Sequence, residues 1–147
     1  CEVSMGQELE RLIKKYEGLK LKAYLCPAGV PTIGYGSTGP DIKLGMQWTV
    51  AESTERMKYD ARKYLAATKS LTPNVHGDSL DAISDFTYNL GATRLKGSTL
   101  RKRLLAGDVE GAKRELLKWV RGGNRILPGL VRRRTEESEL LHQEDLA

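Results

Sequence analysis

Between Leu19 and Gly39 the helical spacing that runs through most of this chain breaks down. Pro27, Gly29, Pro31, Gly34, Gly36 and Gly39 fall there among Ala23, Leu25, Val30, Ile33 and Tyr35. Prolines and glycines at that density forbid a helix and suit short strands joined by tight turns. A 147-residue chain with one such patch near its front and helical periodicity elsewhere is expected to be α+β, a small β element against a helical body. Cys26 and Thr32 flank the Pro27-Ala28-Gly29 turn, so a hairpin brings them across from one another. Alternation sets Thr32 on the face opposite Ile33 and Tyr35, with Ile33 packing inward and Thr32 facing a cleft. Gly34 and Gly36 leave that same face bare for a ligand to approach the backbone. The plain alternative is a glycine-rich hairpin without chemistry.

The helices read from caps and spacing. Ser4-Met5-Gly6-Gln7 has the form of a capping box, and Leu9, Leu12, Ile13 and Tyr16 follow at helical intervals. Gly18 suits the position just past a helix end, so the helix is expected to stop at about Glu17. A carboxylate there faces the negative end of the macrodipole, which disfavours its ionised form, the bias a general acid needs. In isolation a lone Glu at a helix end is an ordinary surface charge.

Thr49-Val50-Ala51-Glu52 is a second capping box, opening a long helix to about Ala67 with Val50, Thr54, Met57, Ala61, Tyr64 and Leu65 in sequence. Asp78 is expected to cap a helix carrying Leu80, Ile83, Phe86 and Leu90, closed by Gly91 with Asn89 at its end. Ser98 or Thr99 starts a short helix ending at Gly107. Asp108 caps the next, striped by Val109, Ala112, Leu116 and Trp119. Gly122-Gly123-Asn124 and Pro128-Gly129 read as loop, and residues 130–141 as the last helix. No internal repeat or flexible linker interrupts the chain.

Composition narrows the partners. The net charge of +5, densest around Arg132, Arg133 and Arg134, favours an anionic partner such as nucleic acid, an acidic membrane or an acidic polysaccharide, although a plain solvated surface carries the same excess. No nucleic-acid-binding motif is present, and one Phe, two Trp and six Tyr offer little for base stacking. No apolar run approaches the ~18 residues of a membrane span. No signal peptide is visible, but the chain begins at Cys1 without an initiator Met, so that absence carries no weight. Two cysteines without CxxC and two histidines, His76 and His142, give no zinc pattern. No metal and no cofactor are expected.

The chemistry concentrates in YEGLKLKAYLCPAGVPTIGYG, residues 16–36. Glycoside hydrolysis needs a protonated acid beside the leaving oxygen and a second group that attacks the sugar or directs a water from its opposite face. Glu17 suits the first task, and Cys26 with Thr32 suits the second. The distant histidines make no nucleophilic triad with them in sequence. Residues 34–39 lack the continuation a phosphate-binding loop requires.

Glu17, Cys26 and Thr32 at these spacings, with TIGYG at residues 32–36, resemble the phage-type lysozymes, the endolysins of glycoside hydrolase family 24. Asp85-Phe86-Thr87-Tyr88-Asn89-Leu90-Gly91 is similar to that family's aromatic–Asn–Gly segment, and Ser98-Thr99-Leu100 to its STL helix start. Trp119 with Gly122-Gly123, and the run Gly129-Leu130-Val131-Arg132-Arg133-Arg134, resemble its C-terminal signature. The resemblance implies one lysozyme-like domain over residues 1–147. Residues 17–48 would form a β-containing lobe, residues 49–147 with the N-terminal helix the helical part, and a long helix would join them beside a cleft. It also implies a muramidase cleaving the β-1,4 bond between N-acetylmuramic acid and N-acetylglucosamine in peptidoglycan, acting in the host bacterial periplasm or cell wall. Glu17 matches the catalytic acid and Thr32 the catalytic threonine. Tyr35, Gly36, Asn89 and Arg133 fall at the substrate, and one of Arg132, Arg133 and Arg134 pairs with Glu17, the three left open.

Two departures stand out. Cys26 occupies a position where many members carry Asp, and Ser37 stands where a His often follows Gly-Tyr-Gly. A free thiol ionises near ~8.5, so Cys26 needs neighbours that stabilise its thiolate, with Lys20, Lys22 or a C-terminal Arg as candidates. Cys26 then orients or deprotonates water with Thr32 as partner. A disulfide to Cys1 would silence it, against the plainer view of Cys1 as an incidental thiol. The chain is expected to act as a monomer, without stable membrane insertion or nucleic acid, on peptidoglycan and on anionic outer-membrane polymers. Two other classes compete: a catalytically inactive peptidoglycan-binding module, suggested by Cys26, and a nucleic-acid binder, suggested by charge alone.

Overall fold

The computed structural model describes residues 6–147. Ser4, and with it the expected first capping box, lies outside the described residues, as does Cys1. Helix α1 (Gln7–Glu17) starts after Gly6 and ends at Gly18, whose φ of +68° turns the chain out of the helix. Its N-terminus is served from a distance. Asp81 places a carboxylate oxygen 3.4 Å from the Leu9 amide, supplying an acceptor for one of the amides that a helix start leaves unpaired.

Strands β1 (Lys20–Leu25) and β2 (Pro31–Gly34) form an antiparallel pair in which Tyr24 faces Thr32 and Leu25 faces Pro31. The turn between them closes through Cys26 N–H to the Val30 carbonyl and Gly29 N–H to the Cys26 carbonyl, the tight geometry that the Pro-Ala-Gly sequence announces. The pair is mostly exposed along β1 and buried along β2.

Helix α2 (Val50–Leu71) carries the expected capping box. Thr49 Oγ1 accepts from Glu52 N–H, and the Glu52 carboxylate accepts from Thr49 N–H. It runs four residues beyond the expected Ala67, to Leu71, and ends at Thr72 directly before Pro73, which keeps the preceding residue out of the helical region. Its buried stripe is Ser53, Met57, Ala61, Leu65 and Thr68; Val50, expected on that stripe, is exposed.

Helix α3 (Gly77–Leu90) runs through the middle of the molecule, with Ser79 to Thr87 buried continuously. His76 occupies its N-cap position, so Asp78 lies inside the first turn and is not the cap. Gly91 ends it at φ +93°, as expected. Around α3 lie the short α4 (Ala92–Lys96), α5 (Thr99–Leu105), α6 (Val109–Leu116) and α7 (Pro128–Glu139). Ser98 and Asp108 cap α5 and α6 through their side chains, each bond contributing about 1 kcal/mol. Residues 122–124, expected to be plain loop, instead sit in a miniature hairpin of β3 (Arg121–Gly122) and β4 (Arg125–Ile126). Two-residue strands carry no alternation for a sequence to display. Pro128 opens α7 at the position where its missing N–H is harmless, two residues ahead of the expected start.

The core joins Leu9 and Ile13 of α1, Met57 and Leu65 of α2, Ile83 and Phe86 of α3, and Leu100, Leu104 and Leu116 beyond them. Trp119 packs edge-on against Phe86 with ring centroids 5.4 Å apart. The molecule is α+β, and its described residues form two small antiparallel sheets against a helical body. Among the described residues no helix is long and apolar enough to cross a membrane.

Candidate active site

Glu17 ends α1 at the meeting point of two clefts. One, of about 490 Å³, is bounded by Gly36, Thr38 and Pro40 on one side and by Tyr59, Tyr64 and Asn89 on the other. The second, of about 640 Å³, lies between Tyr16 and the start of α7 at Leu127 and Pro128. Glu17 and Asn89 line both. The Glu17 side chain is 19% exposed, so its carboxylate reaches the groove without standing free in water.

Three structures hold that carboxylate. Arg133 Nη1 donates to Glu17 Oε2 at 2.7 Å, which identifies the partner among the three C-terminal arginines. A cation thus faces the carboxylate where α1 ends. Gly36 lies directly behind it: a Cβ there would stand 2.5 Å from Glu17 Oε1, on a backbone already at φ +79°. Finally, α3 and α7 fix Arg133 itself, through Nε and Nη2 donating to the two Asp85 oxygens, each at 2.8 Å. Burial works against both charges of this pair. The bidentate contact outweighs it, holding the Asp85 carboxyl below and the Arg133 guanidinium above their ordinary ranges.

Arg133 is therefore 3% exposed, with its fork turned to two carboxylates, and supports the acid from behind. Tyr35, placed by resemblance at the substrate, has its ring in the hydrophobic core; its carbonyl accepts from Tyr88 Oη at 2.6 Å. Gly36 and Asn89 line the groove. Asn89 Oδ1 accepts from the fully buried Arg134, which turns the amide nitrogen of Asn89 away from that contact.

Cys26 and Thr32 are not among the residues lining these two clefts. They meet on the adjoining strand pair. Thr32 is 4% exposed, with Oγ1 donating to the Val30 carbonyl at 2.9 Å, so it does not present an open face to solvent. Nor does Gly34, whose vacant side is covered by the Trp48 ring, 3.2 Å from where a Cβ would be. The Cys26 thiol is held below the ordinary range by the Val30 and Ala28 backbone amides and by the Thr32 hydroxyl. Lys20, Lys22 and the C-terminal arginines are not among those causes; the turn itself stabilises the thiolate. Tyr24, opposite Thr32 in the strand register, links this pair to the acid. Burial and the negative charges of both Glu17 and Cys26 hold its phenol in the neutral form.

The side chain at position 37 is also tied in. Ser37 Oγ donates to Asp60 at 2.8 Å, and Arg56 Nε donates to the other Asp60 oxygen at 3.1 Å while Nη1 reaches Asp41 at 2.6 Å. Arg56 of α2 thus joins Ser37, Asp60 and Asp41 in one polar cluster, and Arg56 and Asp60 line the first cleft. Sequence reasoning missed Asp85 and Arg56 as supports. Asp85 stands four residues before Asn89, on the same helical face, and that spacing was the available signal.

Residues 14–137 match the family described as Phage lysozyme. The endolysin of Acyrthosiphon pisum secondary endosymbiont phage 1 is 39% identical over 138 residues, covering 88% of this chain and 91% of that protein. The endolysin of Bacillus phage B103 is 36% identical over 144 residues, 94% of this chain, and the chain spans 54% of that relative's length. Among solved structures, the endolysin from Escherichia coli O157:H7 phage FAHEc1 superposes with a TM-score of 0.83 at 30% identity, covering 95% of this chain and 94% of that one.

Proposed function

The chain belongs to the phage lysozyme family, and from that premise we propose that it cleaves the β-1,4 bond between N-acetylmuramic acid and N-acetylglucosamine, with Glu17 as general acid. Membership makes it a peptidoglycan-hydrolysing lysozyme; the bond and the residue roles are the proposal. The observation that supports it most is the placement of Glu17, partly exposed where two clefts meet and braced by Arg133 and Gly36. A sugar chain running from one cleft into the other passes this carboxylate.

In this reading Glu17 gives its proton to the glycosidic oxygen as the bond to the anomeric carbon lengthens. Cys26 and Thr32 position or activate the water that completes hydrolysis. The Thr32 proton, donated to the Val30 carbonyl, can swing to the sulfur when the thiolate forms. Gly36 and Asn89 border the sugar path, while Arg133 acts through Glu17. The setting is the host cell wall, and the net charge of +5 suits anionic wall and outer-membrane polymers. Activity on permeabilised Gram-negative cells should accordingly fall as salt is added.

Mass spectrometry of digested peptidoglycan tests bond and acid together. The wild type is expected to release fragments ending in reducing N-acetylmuramic acid, and Glu17→Gln to bind the wall and release none. Reducing N-acetylglucosamine ends, binding by the wild type with no new ends, or full cleavage by Glu17→Gln would each overturn the proposal.

A further inference from the structure

Behind Arg133 lies a charge the hydrolytic mechanism does not use. Glu137, one turn along α7, is fully buried, as are Arg134 and Asp85. Counting Glu17, Asp85 and Glu137 against Arg133 and Arg134, full ionisation leaves one surplus negative charge and two carboxylates facing each other in a dry interior. Isolated like charges do not persist in such surroundings; one of the pair keeps its proton.

Geometry decides which one. Asp85 receives both arms of the Arg133 fork at 2.8 Å. Glu137 receives only a 3.2 Å approach from Arg134 Nη1, too poorly aligned to be a hydrogen bond. Among the described residues neither Glu137 oxygen has a hydrogen-bonding partner when written as a carboxylate. Arg134 donates Nη2 to Asn89 and lies over the Phe86 ring with its guanidinium carbon 5.1 Å from the centroid, while its Nε and Nη1 have no hydrogen-bond partner among the described residues. A carboxylic acid at 137 removes both difficulties: it donates its proton to Asp85 and leaves the cluster neutral. The remaining charges facing Glu137 are Arg133 and Arg134 on its own helix and Asp85 from α3, and burial, with Asp85 adding to it, favours the proton.

We propose that Glu137 is a positioning residue, a neutral buried acid whose hydrogen bond to Asp85 fixes the fork through which Arg133 holds Glu17. The proposal rests on Glu17 being the catalytic acid for its consequence in turnover, but not for the protonation state itself. Gln at 137 can replace the donor without ionising, whereas Leu cannot donate at all.

Carbon-13 NMR of glutamate carboxyl groups, assigned with Glu137→Gln, reads the first point directly. The Glu137 signal is expected to stay at the protonated position between about pH 4 and about pH 8, a range in which an ordinary glutamate at ~4.3 ionises. A titration near the ordinary value overturns the proposal whatever the enzyme's activity. On peptidoglycan, Glu137→Gln is expected to keep kcat within about threefold of wild type and Glu137→Leu to lose roughly tenfold in kcat with KM little changed. Equal losses for the two variants would also overturn it. Failure of Glu17→Gln to abolish cleavage would instead strike at the acid assignment and leave the NMR result standing.

Discussion

Arg133 donates Nη1 to Glu17 at 2.7 Å while its other two arms hold Asp85, so one guanidinium ties the end of α1 to the middle of α3. Arg133→Ala would leave Asp85 buried at 0% exposure without its counter-charge, and breaking a buried pair in this way costs about 3–5 kcal/mol. Chemical denaturation should show that loss. Arg133→Lys keeps the charge but cannot make three directed bonds from one planar group. It should retain part of the stability and still lose roughly 10²-fold in kcat through misplacement of the acid. A lysine variant with wild-type turnover would show that Glu17 needs a cation and not this fork.

That relationship was half visible in the sequence. The end of α1 at Glu17 and Gly18 is local chemistry, a glycine at positive φ, and local chemistry survives folding. The same holds for the caps at Thr49, Ser98 and Asp108. By composition three consecutive arginines read equally as a solvated basic run, and the resemblance set one of them at Glu17 without saying which; only the packing of α7 on α3 sends Arg133 and Arg134 inward to meet Asp85 and Glu137. Tyr35 misled for a related reason. Its neighbour Gly36 touches Glu17, but the tight turn closed between Ile33 and Ser37 turns the ring itself into the core. Asp81 serving α1 from α3 joins residues seventy-two apart, a pairing that no window along the chain contains.

Gly36→Ala tests the close approach behind the acid. The added methyl would stand 2.5 Å from Glu17 Oε1 on a backbone at φ +79°, so both sterics and conformation oppose it. The fold should lose about 1–2 kcal/mol, and kcat should fall by at least tenfold because the carboxylate must move to make room. A variant as active as wild type would mean that Glu17 has slack the structure does not show.

Cys26 is expected to react as a thiolate at lower pH than an ordinary cysteine, because the Val30 and Ala28 amides and the Thr32 hydroxyl stabilise its charge. Iodoacetamide alkylation followed against pH should show a midpoint below ~8.5, moving upward in Thr32→Ala. In cleavage assays Cys26→Ser should lose most activity, since a hydroxyl does not ionise in that range, while Cys26→Asp should retain it. Equal turnover for Cys26→Ser and wild type would remove the sulfur from the mechanism.

Asp81 sets two physical effects against each other. Its carboxylate sits at the N-terminus of α1, 3.4 Å from the Leu9 amide, where the helix dipole favours negative charge by about 0.3–1 kcal/mol. It is also 7% exposed, and burial, with the nearby Asp78 charge adding to it, lifts its carboxyl to about 6. Burial wins. An unfolded Asp ionises near ~3.9, so between about pH 4 and about pH 6 the folded chain holds a proton that the unfolded chain has lost. This group's contribution is therefore fully present below the unfolded value and disappears as pH rises through the folded one. Asp81→Asn cannot ionise yet keeps an acceptor for Leu9. Its stability should lack that downward slope and, above about pH 6, exceed the wild type by no more than about 3 kcal/mol. Denaturant midpoints measured across the window would decide it: were Asp81→Asn less stable than wild type at neutral pH, the dipole and not desolvation would govern this carboxylate.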